Sequence, residues 1–223
     1  MMKPRFHILS QNDVPLMADM ETAAWGQLGA GEDIVRRRIL LGHTMIVASV
    51  EDLIAGAICF VETHQDPHDT MNFPKTFAEY SSTTRSGPVL SLYVYNLGVR
   101  PEFRGTPLAR SLLDEMISYG RRAGARWIVG DGRCPSYAGA QHQTPDKVLP
   151  DPEFRRTIED WHRTGRMPSV DAIIRDPLLK FYRRTLQCEF LHLAPGFLPE
   201  DKSSGGYRVI FVKDISRHDG PAI

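Results

Sequence analysis

Short apolar runs and helically spaced apolar residues alternate along this chain. Residues 6–9, Phe6-His7-Ile8-Leu9, read as a first short strand. Asn12 and Asp13 are helix-cap types ahead of Val14-Pro15, and residues 16–25 carry apolar spacing that suits a helix. A second helix is predicted over 32–41, with Ile34, Ile39 and Leu40 turned to the core. The runs 45–50 and 53–61 are separated only by Glu51-Asp52, the pattern of a β-hairpin. The strongest strand signal is V-L-S-L-Y-V-Y-N-L-G-V over 89–99. A polar turn follows it, and then a helix predicted from Pro107 to about Arg122, with Leu108, Leu112, Leu113, Met116 and Ile117 on one face. Thr106 suits the N-cap of that helix and Pro107 its first turn. Later elements are a strand over 126–129, helices over 152–164 and 177–186, and strands over 189–193 and 207–212.

Two stretches break the pattern. Residues 62–88 are rich in His, Asp, Pro, Ser and Thr, with Phe73, Phe77 and Tyr80 scattered among them. Residues 130–176 are irregular apart from the helix they contain. Loops longer than about 12–15 residues tend to be lids, binding loops or disordered segments. No repeat or domain boundary interrupts the chain, so a single mixed α/β domain over 1–223 is expected.

Composition narrows the classes of function. Lys plus Arg and Asp plus Glu number 27 each, so no global field draws the chain to nucleic acid or anionic lipid. The runs Arg36-Arg37-Arg38 and Arg155-Arg156 read as solvated helix faces. No apolar run approaches the roughly 20 residues of a membrane span. The N-terminal segment shows no signal-peptide core. Cys59, Cys134 and Cys188 are far apart and odd in number, which argues against a disulfide framework or thiolate zinc site and makes a cytoplasmic location the default. His64 and His68 stand four apart, but in a proline-containing loop, and no metal is expected.

Chemistry concentrates where the strand over 89–99 passes through Arg104-Gly105 into a helix. A helix N-terminus presents unpaired N–H groups and about half a positive charge, which suits an anion. Gly105 lets backbone approach a diphosphate, and Arg104 can add charge-assisted hydrogen bonds. A strand edge can pair with an amide-bearing arm. Coenzyme A combines a diphosphate with such an arm.

The segment N-L-G-V-R-P-E-F-R-G-T-P-L-A-R-S-L-L resembles the acyl-CoA signature of the GNAT superfamily of N-acetyltransferases, Gln/Arg-x-x-Gly-x-Gly/Ala. Arg104 stands at the Gln/Arg position and Ala109 at the last Gly/Ala, whereas Pro107 replaces the central Gly and removes one N–H. The resemblance implies an α/β fold of α+β type: a central, mixed, mostly antiparallel twisted sheet flanked by helices, with two long insertions. It also implies acetyl-CoA, or another acyl-CoA, bound by Leu97, Gly98, Val99, Arg104, Gly105, Thr106, Pro107, Leu108 and Ala109, with the Leu97 and Val99 backbones along the pantetheine arm. Asp176 to Arg184 resembles a later helix of the family, where Tyr182 matches the tyrosine that protonates the leaving thiolate; the usual terminal Gly-Phe is missing there. Gly132-Arg133-Cys134-Pro135-Ser136-Tyr137 and P-G-F-L-P-E-D-K-S-S-G-G-Y resemble segments of one subset of these enzymes.

The reaction so implied is direct N-acyl transfer, acetyl being the expected group, to a small-molecule amine or similar nucleophile in a ternary complex. The strand over 89–99 has no carboxylate, so a base must come from elsewhere, with Asp131 and His142 as candidates, act through water, or be unnecessary for an acceptor that arrives neutral. Cys134, beside Arg133, is a weaker candidate for a covalent nucleophile. Competing readings are a CoA-binding or interaction module without turnover, and an O-acyl or formyl-type transfer. Nucleic acid and membrane are not expected partners, and self-association into a homodimer stays open.

Overall fold

The computed structural model describes residues 3–69, 73–82, 87–139 and 148–216. His142 lies outside them. The strands are β1 (Arg5–Ile8), β2 (Thr44–Val50), β3 (Leu53–Thr63), β4 (Ser91–Val99), β5 (Trp127–Arg133), β6 (Glu189–Ala194) and β7 (Arg208–Asp214). They form one seven-stranded sheet in the order β1-β2-β3-β4-β5-β7-β6. The helices are α1 (Val14–Trp25), α2 (Glu32–Leu40), α3 (Phe77–Ser82), α4 (Leu108–Ala123), α5 (Pro152–Thr164), α6 (Val170–Ile173) and α7 (Pro177–Arg184).

The chain divides into two compact units: Met1–His64, Thr84–Ile128 and Asp214–Ile223 in one, Gln65–Thr83 and Val129–Lys213 in the other. In the first, β1 to β4 pair antiparallel in sequence order, and the two-residue turn Glu51-Asp52 can join β2 and β3 only as antiparallel neighbours. Helix α1 packs on β3 and β4, and α4 packs on β2, β3 and β4. The buried face of α1 carries Met17, Met20, Glu21 and Ala24, the i, i+3, i+4, i+7 stripe of an amphipathic helix with a carboxylate set into it. On α2 the sequence places Ile34 and Leu40 inward, but both are exposed, and Val35 is the buried residue. Ile39, the third residue of the expected stripe, is partly buried against the core, so the stripe is rotated by about one residue rather than lost.

In the second unit α5 has the predicted bounds. Asp151 caps it by accepting from the Glu153 and Phe154 N–H groups, and it buries Phe154, Ile158 and Trp161. Asp176 caps α7 in the same way, accepting from Leu178 and Leu179, and also accepts from Ser136 N at 2.8 Å. Strands β6 and β7 pair antiparallel. The irregular stretch over 62–88 contains the short helix α3, and β5 continues to Arg133, four residues beyond its predicted end.

Candidate functional site

Strand β4 contains a bulge. Cys59 of β3 faces Asn96, while Phe60 faces Val94, so Tyr95 is the extra residue. A bulge of this kind twists the strand and re-aims its side chains. Tyr95 and Asn96 both reach a polar cluster held by α1 and α2. The Asn96 amide donates to Glu21, which also accepts from Ala30 N at 3.2 Å and has Arg38 3.8 Å away. Tyr95 contacts His43 Nδ1 at 3.1 Å, and the Arg38 guanidinium lies 5.0 Å from its ring centre. Burial pushes the Glu21 carboxyl up from its ordinary value, against the pull of Arg38, the Ala30 N–H and the Asn96 amide. Burial likewise raises Tyr95 and Cys59, with Glu21 adding to both. This cluster escaped the sequence reading, although one signal was present: Glu21 interrupts the apolar stripe of its own helix.

Next on the same face of β4 is Gly98. A Cβ there would stand 2.9 Å from Trp25 Nε1, so only glycine admits the indole at this depth. The chain then turns through Pro101–Phe103 to Arg104, Gly105 and Thr106. Gly105 has φ +73°, and no atom lies within 4 Å of where its Cβ would be. The residue is therefore glycine for conformation, and the space beside it is open. Thr106 Oγ1 donates to Phe103 O at 2.6 Å and accepts from Leu108 N at 3.3 Å. Helix α4 begins at Leu108, one residue later than expected, with Pro107 as its N-cap and the Ser111 N–H bonded to Pro107 O.

The side chain of Arg104 does not extend from the loop. It donates from Nε to Val99 O at 3.3 Å and from Nη2 to Ala24 O at 3.1 Å, and its buried Nη1 has no partner among the described residues. Ala24 O belongs to the last turn of α1, where carbonyls lack helical partners and the helix dipole is negative, so it attracts the guanidinium. Arg104 thus ties the loop to α1. What this segment presents besides that side chain is the first turn of α4 and the open space at Gly105. Leu97 and Val99 pair with Ile58 and Gly56 of β3.

Tyr182 and Asp131 lie together in the second unit. Tyr182 stacks on Phe211, with ring centres 4.4 Å apart, and its ring borders Gly132. Burial, with Asp131 and Cys188 adding, pushes its hydroxyl well above the usual tyrosine range. Arg208, itself buried, donates to Asp131 Oδ1 at 2.8 Å and to Asp201 Oδ2 at 2.6 Å. Arg133 also donates to both Asp201 oxygens and to Ser203 Oγ. Cys134 N donates to Ser204 Oγ at 3.0 Å, and Gly205 sits against the Tyr137 ring. The segments 132–137 and 195–207, each singled out from the sequence, are therefore physical partners. The arrangement disfavours Cys134 as a nucleophile: Arg133 is turned to Asp201 and Ser203, the thiol is buried, and burial drives its pKa up.

Among the described residues, no group of three His, Cys, Asp or Glu side chains could hold a metal, and no helix is long and apolar enough to cross a membrane. No family model matches the sequence, and no curated protein matches it. Solved structures do match. The GphF GNAT-like decarboxylase in complex with isobutyryl-CoA is 21% identical, with a TM-score of 0.70 over 95% of this chain and 99% of that one. The loading GNATL domain of CurA from Lyngbya majuscula is 21% identical, with a TM-score of 0.72 over 97% of this chain and all of that one (100%). An aminoglycoside 6'-N-acetyltransferase complexed with coenzyme A is 11% identical, with a TM-score of 0.60 over 97% and 99%. At such identities the likeness is one of fold: this chain has the architecture of the GNAT acetyltransferases.

Proposed function

We propose that the chain is an acyl-CoA-dependent N-acyltransferase, with acetyl the expected group, and that both units serve this one activity over 1–223. The observation that carries the reading is the passage from β4 through Gly105 into α4. It sets open space and first-turn N–H groups at one end of a strand, as a diphosphate with an amide-bearing arm requires. Leu97, Gly98 and Val99 would line the pantetheine arm, and Gly105, Thr106, Leu108 and Ala109 the diphosphate. Pro107 contributes shape but no donor, and Arg104 acts by holding the loop against α1.

The acceptor is a small-molecule amine. Tyr182 would protonate the leaving thiolate: a hydroxyl whose pKa is raised by burial remains a proton donor throughout the neutral range. Asp131 would accept the amine's proton, its carboxylate oriented by Arg208. Release of free thiol from acetyl-CoA in the presence of an amine panel tests this reading. Thiol appearing only when both substrates are present supports it; binding without any turnover would leave a CoA-binding module.

A second reading is favoured by one observation. The decarboxylase and the loading domain match at 21% identity and TM-scores of 0.70 and 0.72, above the 11% and 0.60 of the aminoglycoside enzyme. Under that reading the chain would cleave carbon dioxide from a carboxyacyl-CoA, a step that needs no amine. Incubation with malonyl-CoA alone separates the two: acetyl-CoA and carbon dioxide form only under the second.

A further inference from the structure

The α1-facing side of β4 holds polar atoms that the core leaves unsatisfied. Asn96 Oδ1 is buried and has no partner among the described residues. Two residues along, over Gly98, Trp25 Nε1 is in the same condition. Burying a polar group without a partner is destabilising, so two such groups beside one strip of β4 mark a place where a polar ligand is received.

The direction of the Asn96 amide is set step by step. The Ala30 N–H is a backbone donor that cannot invert, and it takes Glu21 Oε2. The other oxygen, Oε1, faces Asn96, with Arg38 beside it. An ionised carboxylate only accepts, so Asn96 must turn its NH2 group to Glu21 and its carbonyl oxygen away.

We infer that Asn96 receives the acceptor of the transfer reaction, its Oδ1 accepting an N–H of an incoming primary amine, with Glu21 as the positioning residue that keeps that oxygen turned away from the carboxylate. The inference rests on the acyltransferase reading. A neutral primary amine can give one N–H to Oδ1 and keep a second to surrender as a proton, whereas an alcohol's single O–H is held by an oxygen that takes no proton, so the site prefers amines. Asn96 takes no proton in the step. The nitrogen lone pair forms the C–N bond, the C–S bond breaks with its electron pair on sulfur, one proton leaves nitrogen and one is gained by sulfur.

Methoxyamine, a small amine that is unprotonated at neutral pH, is the probe. Thiol release from acetyl-CoA is measured for the unchanged protein, Asn96→Leu and Glu21→Gln, alongside the melting shift that acetyl-CoA produces. In Glu21→Gln the introduced amide would keep its oxygen on the Ala30 N–H and offer its NH2 to Asn96. The Asn96 amide would then turn over, with its donor facing outward, at almost unchanged side-chain volume. Both variants are expected to keep the acetyl-CoA melting shift and to raise the methoxyamine KM at least tenfold. Should Asn96→Leu fail to fold, Glu21→Gln carries the test. An unchanged KM in a folded variant that still binds acetyl-CoA would overturn the inference, as would absence of methoxyamine-dependent thiol release from an unchanged protein that binds it. Absence of any acetyl-CoA melting shift in the unchanged protein would remove the acyltransferase reading and this inference with it.

Discussion

Asp201 shows how a single side chain can organise the second unit. It accepts from Arg133, Arg208, Ser203 and Ser204. Burial alone would raise its pKa, but these partners hold it well below the usual carboxylate range. A depressed folded-state pKa gives stability that is fully present above the ordinary carboxylate value and is lost as pH falls through the folded value. Asp201→Asn leaves Arg208 buried with one carboxylate fewer, and breaking such a pair costs about 3–5 kcal/mol. The variant is expected to melt lower at neutral pH and to lose less of its remaining stability on acidification, as thermal melts across the acid range would show. Tyr182→Phe keeps the stack on Phe211 and removes only the hydroxyl, so kcat should fall at least tenfold with the acetyl-CoA KM little changed. At this scale the sequence was legible where a motif named the residue and opaque where the role depended on neighbours. Arg104 was readable as a basic residue before a glycine. That its guanidinium turns to Ala24 O follows from the end of a helix 80 positions earlier, which no local pattern encodes. Glu21 could have been found by the sequence alone, as a charge in an apolar stripe; its contact with Asn96 could not.

Among the elements, the strand–turn–helix unit was the most legible because its signals agree: a β-branched and aromatic run, a turn with glycine, a cap and an apolar helical face. Strand β5 was read short for the opposite reason. Gly130-Asp131-Gly132 looks like a turn, yet Asp131 is held by Arg208 and Gly132 lies under Leu179 and Tyr182, so tertiary contacts override local preference. The bulge at Tyr95 was invisible, since nothing in V-Y-N-L separates a regular register from a shifted one. The start of α4 supports two predictions. Gly105→Ala forces a Cβ into the left-handed region at φ +73°, and should cost about 1 kcal/mol of stability with no clash to relieve. Pro107→Ala restores a backbone N–H at the N-cap, and should tighten coenzyme A binding by about two- to tenfold in calorimetric titration, the worth of a modest hydrogen bond.

For the molecule as a whole, a net charge of zero means that a polyanionic ligand must be held by local groups rather than by a general field. The class of fold was readable through one motif and the order of elements, even at sequence identities of 21% and below to the structures it matches. The acceptor was not, and the contacts that bring Glu21, Arg38 and Asn96 together from α1, α2 and β4 are a matter of packing that no local pattern encodes. Every proposed role follows from acyl-CoA settling where β4 passes into α4. Ligand bound at a hundred times its Kd stabilises a fold by about 2.7 kcal/mol, which for a chain of this size raises Tm by roughly 5–10 °C. The direct measurement is therefore the Tm of the protein titrated with acetyl-CoA and with longer acyl-CoAs. Tm is expected to rise by that order, to saturate with ligand and to rise less in Gly105→Ala; a Tm that stays flat with every acyl-CoA would overturn acyl-CoA binding at this loop.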